Sequence, residues 1–188
     1  QETKEFSSII ETNSKNLLRL VNDVLDISYL DQTDELPYNT TVEMNCCCLN
    51  VIDSVKTMIK DGVEFKFNPP CTELMVKTNS DRLSQILTHL LQNAAKFTEQ
   101  GSITLEYALN ESEQQIVYRV TDTGKGIPKD KQDFVFERFA KLDDFTQGTG
   151  LGLPICRLVA EKLGGSLLID DSYTQGCRFI LTLPLVRA

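Results

Sequence analysis

The run GTGLGL at Gly148–Leu153 places three closely spaced glycines directly before a segment with helical apolar periodicity. Glycine lets backbone N–H groups approach an anion closely, and the N-terminus of a helix carries a partial positive charge. A second glycine turn, DTGKGIP at Asp122–Pro128, follows a strand-like segment and adds a carboxylate. Two such turns in one chain indicate a nucleotide-binding site.

Other nucleotide-binding motifs fit the sequence less well. A dinucleotide-binding fingerprint needs a buried strand directly before its glycines, whereas residues 141–147 are polar and loop-like. The sequence contains no G-x-x-x-x-G-K-S/T run, which excludes a P-loop. It also lacks H-R-D and D-F-G motifs, which excludes the eukaryotic protein kinase fold. Residues 141–147 are instead predicted to form a lid that a bound ligand orders.

The composition excludes several classes of function. Hydrophobic residues make up 41% and charged residues 24% of the 188 residues, as in water-soluble globular proteins. The net charge of −8 argues against nucleic acid or an anionic membrane as a partner. We find neither a membrane-spanning apolar run nor a signal peptide, and therefore expect a cytoplasmic domain. The start at Gln1 suggests a fragment of a longer protein.

The six cysteines do not have the spacing of a disulfide framework or a zinc site. Cys46, Cys47 and Cys48 are consecutive, the other three are scattered, and no C-x-x-C pair occurs. The sequence contains a single histidine, His89. We therefore expect free thiols in a reducing compartment, most of them buried as small apolar residues.

The N-terminal residues from about Phe6 to Ile27 are predicted to form one long helix. Its apolar positions follow alternating spacings of four and three, with Asn13 inserted in the series, as in a coiled coil or helical bundle. The series is Phe6, Ile10, Leu17, Leu20, Val24 and Ile27. One helix cannot bury this face alone, so we expect a bundle or a dimer. The polar residues 31–37 suggest a hinge, which divides the chain into a partial helical domain at 1–32 and a second domain at 33–188.

The second domain alternates helical and strand-like segments. Predicted strands are Thr40–Met44, Val63–Asn68, Leu74–Lys77, Ser102–Leu109, Gln115–Thr121, Ser166–Asp170 and Cys177–Leu183. Predicted helices run from Asn45, as the N-cap, to Ile59, from Asn79 or Ser80 to Lys96, over Asp130–Phe139, and onward from the GTGLGL run. Several neighbouring strands are hairpin-like, which favours an α+β fold, a two-layer α/β sandwich, over a doubly wound sheet.

The predicted helix at Asp81–Lys96 carries two stripes. Its apolar stripe has the spacing of a core face and consists of Leu83, Ile86, Leu87, Leu90, Leu91 and Ala94. Its polar stripe consists of Gln85, His89, Gln92, Asn93 and Lys96. A polar stripe is equally well explained as a solvated face. Solvated faces are typically rich in Glu and Lys, however, whereas amides, one imidazole and one ammonium resemble a cation and phosphate site.

These segments, taken in order, resemble the motifs of the catalytic and ATP-binding domain of sensor histidine kinases, in the Bergerat (GHKL) ATPase superfamily. HLLQNAAKFT at His89–Thr98 resembles the asparagine box, and DTGKGIP at Asp122–Pro128 the first glycine box. FERF at Phe136–Phe139 resembles the phenylalanine box, GTGLGLPIC at Gly148–Cys156 the second glycine box, and QGCRFILTLPL at Gln175–Leu185 the last strand pair. NLLRLVNDVLDIS at Asn16–Ser28 is similar to the second helix of the family's dimerisation and phosphoacceptor domain.

The resemblance implies a Bergerat fold and a role for each matching residue. Asn93 would hold Mg²⁺, Lys96 would reach the phosphates, and Lys141, with Arg138, would reach the γ-phosphate. Asp122 would accept a hydrogen bond from the adenine amine. The remaining nucleotide-binding positions are Gly124, Gly126 and Ile127 beneath the adenine, and Gly148, Thr149, Gly150, Leu151 and Gly152 at the lid and phosphates.

The resemblance also implies a function, and the sequence departs from the family pattern in three respects. The first is that the phosphoacceptor histidine is not present and is expected upstream of Gln1, so this fragment should bind ATP without phosphorylating itself. The cofactors would be ATP and Mg²⁺, and the γ-phosphoryl group would pass to a histidine upstream of Gln1 and then to a response-regulator receiver domain. The partners would be that phosphoacceptor helix and a second copy of the chain. His89 replaces a common asparagine, which leaves a catalytic role and a simple hydrogen-bonding role both open. Cys177 stands where a serine or threonine is usual near the adenine.

Two alternative functions remain open from the sequence. One is a nucleotide-binding module of the same fold with little or no transferase activity. The other is a Bergerat ATPase or an anti-sigma-type serine kinase, against which the long N-terminal helix argues.

Overall fold

The computed structural model describes residues 2–70, 73–142 and 148–188, without the side chains of residues 2–5, 8 and 9. The helices are α1 (Glu2–Asp31), α2 (Met44–Val55), α3 (Ser80–Phe97) and α4 (Gly152–Lys162). The strands are β1 (Thr40–Glu43), β2 (Val63–Asn68), β3 (Met75–Thr78), β4 (Gly101–Asn110), β5 (Gln115–Asp122), β6 (Ser166–Ile169) and β7 (Cys177–Pro184). The predicted lid falls largely on residues 143–147, which lie outside this description.

The main sheet has five strands in the order β2-β4-β5-β7-β6. Its β2–β4 pair is parallel and the other pairs are antiparallel, while β1 and β3 form a separate antiparallel pair. Alternate side chains of the central strands β5 and β7 are buried, and α3 and α4 pack on the sheet. The predicted α+β two-layer sandwich is therefore confirmed, and most predicted strand positions are correct within a residue or two.

The buried face of β5 positions a functional group. Successive side chains of a strand point to opposite faces of the sheet. The buried series Ile116, Tyr118 and Val120 therefore continues to Asp122, the last residue of the strand. Asp122 is only 5% exposed and lies on the same face as the apolar core.

The N-terminal helix is confirmed and extends beyond the predicted bounds at both ends. Its C-terminal turns reach the core, where Ile27 and Leu30 are buried and the helix packs on α4, and Leu20 is partly buried against the same core. Upstream, Phe6, Ile10 and Leu17 are each more than 60% exposed. The expected bundle or dimer, which would cover this face, stays a prediction.

The predictions for two helices are wrong, and the first of these helices is α2. Glu43 rather than Asn45 caps α2, because its longer carboxylate accepts N–H groups from Asn45 at 3.1 Å and Cys46 at 2.7 Å. The helix ends at Val55, and a 3-10 turn follows at Lys56–Met58. The Asn45 side chain instead accepts a hydrogen bond from the Tyr107 hydroxyl at 2.7 Å.

The predicted helix at 130–139 is replaced by two separate 3-10 turns, Lys129–Lys131 and Phe134–Phe136. A continuous helix does not form because its apolar residues do not share one buried face: Val135 and Phe136 are buried, whereas Phe139 is 61% exposed. Phe139 also adopts a φ of 65°, which an α-helix does not allow.

The expectation of free thiols is met for the cysteines that the structure describes. Cys47, Cys48, Cys156 and Cys177 are buried, and Cys46 is exposed. Cys71 lies outside the described residues. Within the described ranges, no helix combines the length and apolarity that crossing a bilayer requires.

Candidate functional site

A cavity of about 560 Å³ lies between α3, the turn after β5, the start of α4 and α1. Its size suits a nucleotide, since small-molecule sites commonly occupy about 300–1,000 Å³. Most of the predicted site residues line it, namely His89, Asn93, Lys96, Asp122, Gly126, Ile127, Lys141, Gly148, Thr149, Gly150 and Gly152. The structure thus brings together predicted residues that are as much as 63 positions apart in the sequence, from His89 to Gly152.

Helix α3 supplies the polar wall of the cavity. Asn79 caps its N-terminus by accepting the N–H of Arg82 at 3.2 Å, as predicted. The predicted apolar stripe is buried, and the opposite stripe presents His89, Gln92, Asn93 and Lys96 to the cavity. The first residue of that stripe, Gln85, instead donates to Asp26 of α1 at 2.6 Å.

The carboxyl group of Asp122 also lines the cavity. Its Oδ1 accepts the N–H of Gly124 at 2.9 Å and that of Cys177 at 3.3 Å. Burial raises the pKa of this carboxyl group, although both N–H bonds oppose the shift. Because both hydrogen bonds go to Oδ1, Oδ2 can accept a donor from a ligand.

The two glycine turns require glycine at particular positions. Gly126 has a φ of 68°, and a Cβ there would lie 2.8 Å from the carbonyl oxygen of Gly176. Gly150 has a φ of 73°, and a Cβ there would lie 2.7 Å from the carbonyl carbon of Phe139. The Phe139 N–H donates to the Gly150 carbonyl at 2.9 Å. The backbone of the second turn therefore packs directly on the phenylalanine-box segment.

Positive charge is concentrated near Lys96. Burial lowers the pKa of its ammonium group, and the charges of Arg19, Lys125 and Lys141 lower it further. All four side chains line the cavity. Mutual repulsion among these cations favours an anionic ligand, which would offset it.

His89 lies at the bottom of this wall, with Nδ1 3.6 Å from the thiol sulfur of Cys156. Burial lowers the pKa of the imidazole, and Arg19 adds to the effect while Asp23 opposes it. The ring is therefore neutral near pH 7, with one nitrogen able to accept a proton. Its catalytic role stays a prediction.

Three predicted site residues do not line the cavity. Arg138 donates from Nη2 to both carboxylate oxygens of Asp31, at 2.8 and 2.9 Å. Gly124 holds Asp122 through its N–H, and Leu151 is buried at the start of α4. Their proposed contacts with nucleotide therefore remain predictions.

One wall of the cavity was missed by the sequence analysis. Asn16, Arg19 and Asp23 of α1 line the cavity, and the Thr149 hydroxyl donates to Asp23 at 2.8 Å. The available signal was the spacing of Asn16, Arg19, Asp23 and Asp26, which places these polar residues on one helix face.

Comparison with known proteins identifies relatives across the whole chain. Residues 78–187 match the family described as histidine kinase-, DNA gyrase B-, and HSP90-like ATPases. Sensor protein SrrB of Staphylococcus aureus is 33% identical over 189 residues, which cover 97% of this chain and 32% of SrrB. The chain therefore spans about a third of the length of the curated relatives it matches.

Solved structures with the same fold include full-length ShkA in complex with AMPPNP, with a TM-score of 0.88 and 26% identity. That match covers 100% of this chain and 40% of the ShkA chain. The mycobacterial sensor histidine kinase MprB matches with a TM-score of 0.68 and 27% identity, over 79% of this chain and 99% of MprB.

Proposed function

This chain belongs to the histidine kinase-, DNA gyrase B-, and HSP90-like ATPase family, and from that premise we propose that its cavity binds ATP with Mg²⁺ and presents the γ-phosphoryl group to a histidine. The resemblance to the catalytic domain of sensor histidine kinases is confirmed. The activity of the longer protein, which is phosphorylation of a histidine and relay to a response-regulator receiver domain, is part of the proposal.

One observation carries the proposal: a buried carboxylate, that of Asp122, and a cluster of cations line the same cavity. Asp122 can accept the exocyclic amine of adenine through Oδ2, which gives base specificity. Lys96 and Lys141, both on the cavity wall, would neutralise the phosphates. Phosphoryl transfer depends chiefly on such positioning and charge neutralisation.

The side chains near Lys96 fit a magnesium ion bound together with phosphates. Mg²⁺ commonly takes one or two protein ligands and completes its shell with water and phosphate oxygens. Asn93 lies three residues before Lys96 on α3, so the amide and the ammonium share one helix face. When bound, the ion would neutralise phosphate charge, with the Asn93 side-chain oxygen as its protein ligand.

The protein's own groups would orient the reacting phosphate. The backbone N–H groups around Gly150 and Gly152, at the N-terminus of α4, point to a phosphate-binding role because a helix N-terminus favours anions. His89, neutral for the reasons given above, would accept a hydrogen bond from the bound water or from the incoming acceptor. Because His89 lies one helical turn before Asn93 on α3, we expect it to lie near the same phosphates.

The N-terminal helix would belong to a different functional unit. We assign residues 1–32 to the second helix of a dimerisation and phosphoacceptor domain and residues 33–188 to the catalytic domain. The exposed apolar residues of α1, among them Ile10 and Leu17, would be covered by a second copy of the chain and by the phosphoacceptor helix. The catalytic domain would act on the cytoplasmic side of a membrane-bound sensor.

Binding and transfer are tested in two steps. Calorimetry should show that ATP binding requires Mg²⁺ and that Asn93→Ala abolishes this Mg²⁺-dependent binding. Gln100→Ala, which changes an exposed amide, is the control and should leave the affinity for MgATP unchanged. The longer protein that carries the phosphoacceptor histidine is then incubated with labelled ATP. An acid-labile, base-stable label supports the kinase, whereas ATP binding without any label would reduce the function to nucleotide binding.

A further inference from the structure

Helix α1 contributes to the cavity from outside the segment that the family model covers. The matched region begins at residue 78, whereas Asn16, Arg19 and Asp23 line the cavity from the N-terminal helix. Their spacing of three and four residues places them on one face of α1. That face differs from the apolar series at Ile10 and Leu17.

The position of α1 beside the cavity is fixed by contacts in the two turns that follow Arg19. Asp23 accepts the Thr149 hydroxyl at 2.8 Å, and the same hydroxyl oxygen accepts the Leu151 N–H at 3.3 Å. Further along α1, Asp26 accepts Arg82 of α3 at 2.6 Å. The helix is thus attached both to the second glycine turn and to the helix that carries Asn93.

Arg19 adds positive charge where the cavity is already cationic. Its guanidinium group contributes to the lowered pKa of Lys96, as do Lys125 and Lys141. The salt bridges of α1 involve Lys15, Asp26 and Asp31. Arg19 takes part in none of the salt bridges found among the residues that the structure describes. A planar guanidinium with several N–H donors is suited to phosphate oxygens.

We propose that Arg19 binds the phosphate groups of ATP, so that α1 completes the nucleotide site and ATP binding stabilises the docked position of the helix. This inference rests on the proposed ATP-binding function. The docking of α1 and the binding of ATP would be thermodynamically coupled. If docking raises the affinity for ATP, bound ATP must stabilise the docked position of α1 by the same free energy. A nucleoside without phosphates would not share this coupling.

The first test compares MgATP and adenosine binding by calorimetry. Arg19→Ala is expected to weaken MgATP binding at least about tenfold, the scale of one charged hydrogen bond, and to leave adenosine binding unchanged. The MgATP affinity of Arg19→Lys should lie between that of the unaltered chain and that of Arg19→Ala. Lys15→Ala is the matched control, since Lys15 lies one turn earlier on α1 and pairs with exposed Glu11; both affinities should match those of the unaltered chain.

The second test loosens the helix without touching the cavity. Asp26→Ala removes the contacts with Arg82 and Gln85 of α3, so it should weaken MgATP binding when Arg19 is present but add little in the Arg19→Ala background. MgATP affinity unchanged by Arg19→Ala, or an equal loss for adenosine, would overturn the role of Arg19. If the unaltered chain does not bind MgATP, the proposed function fails and this inference falls with it.

Discussion

Replacing Asp122 by asparagine separates recognition of the base from stability of the fold. The two backbone N–H groups that Asp122 holds, at 2.9 and 3.3 Å, both bind Oδ1, and the amide oxygen of asparagine can keep them. Oδ2 becomes an NH₂ group, which cannot accept the adenine amine. A hydrogen bond to a charged group contributes about 1.5–3 kcal/mol, so ATP should bind about tenfold to 150-fold more weakly.

The same substitution should not destabilise the protein. Burial raises the pKa of Asp122 above its usual value, so the folded state binds a proton more readily than the unfolded chain. This group therefore opposes folding increasingly as pH rises from the unfolded pKa through the folded one. The asparagine side chain carries no charge to desolvate, and we expect the melting temperature of Asp122→Asn at pH 7 to stay level or rise.

The assay is calorimetric titration with ATP and with GTP, together with thermal unfolding. The asparagine NH₂ group can donate to the guanine carbonyl oxygen, so the preference for ATP over GTP should shrink. Asp130→Asn, at an exposed position, is the matched control and should change neither affinity nor melting temperature. An equal loss for both nucleotides would refute the adenine contact, and a large drop in melting temperature would refute the expectation that asparagine keeps both N–H bonds.

Three further results are expected. Gly150→Ala should destabilise the protein and weaken ATP binding because its Cβ would lie 2.7 Å from Phe139. The control Gly62→Ala also has a positive φ but meets nothing within 4 Å, so it should show only the cost of backbone strain. Equal unfolding temperatures for the two variants would contradict the role of the Phe139 contact. Glu43→Ala should lower the free energy of unfolding by about 1 kcal/mol through loss of the α2 cap, and an unchanged denaturation midpoint would rule the cap out as a stabilising contact. ATP affinity should fall with decreasing pH as the Asp122 carboxyl protonates, and the fall should begin at a higher pH than for an ordinary aspartate because the pKa of Asp122 is raised. An affinity that does not change down to about pH 4, near the ordinary aspartate pKa, would be incompatible with the contact between Asp122 and the adenine amine.

The parts of the site that were predictable from sequence lie within single elements. The period of α3 alone separates its buried stripe from the stripe that carries Asn93 and Lys96. Alternation along β5 brings Asp122 to the core face. In both cases one local periodicity decides which way the side chain points.

The parts that were missed depend on contacts between distant segments. Arg19 and Asp23 reach the cavity only because α1 docks on α3 and α4, which no local pattern specifies. The contact between Arg138 and Asp31, 107 residues away, was likewise not predicted, because no local pattern pairs these two residues. At the end of the helix predicted at 130–139, Phe139 has a left-handed φ of 65° and donates its N–H to the Gly150 carbonyl, a contact with a separate segment that local periodicity does not predict.

The three aspartates along α1 give rotation of this helix a specific meaning. Asp23 holds Thr149, Asp26 holds Arg82, and Asp31 holds Arg138. A helix with side chains has a radius of about 5–6 Å, so a twist of about 30° about its axis displaces each carboxylate by about 3 Å. Such a rotation would break all three contacts together and would also disturb the packing of Ile27 and Leu30 in the core. Turning the upstream part of α1 would therefore weaken its attachment to the catalytic domain in a single step.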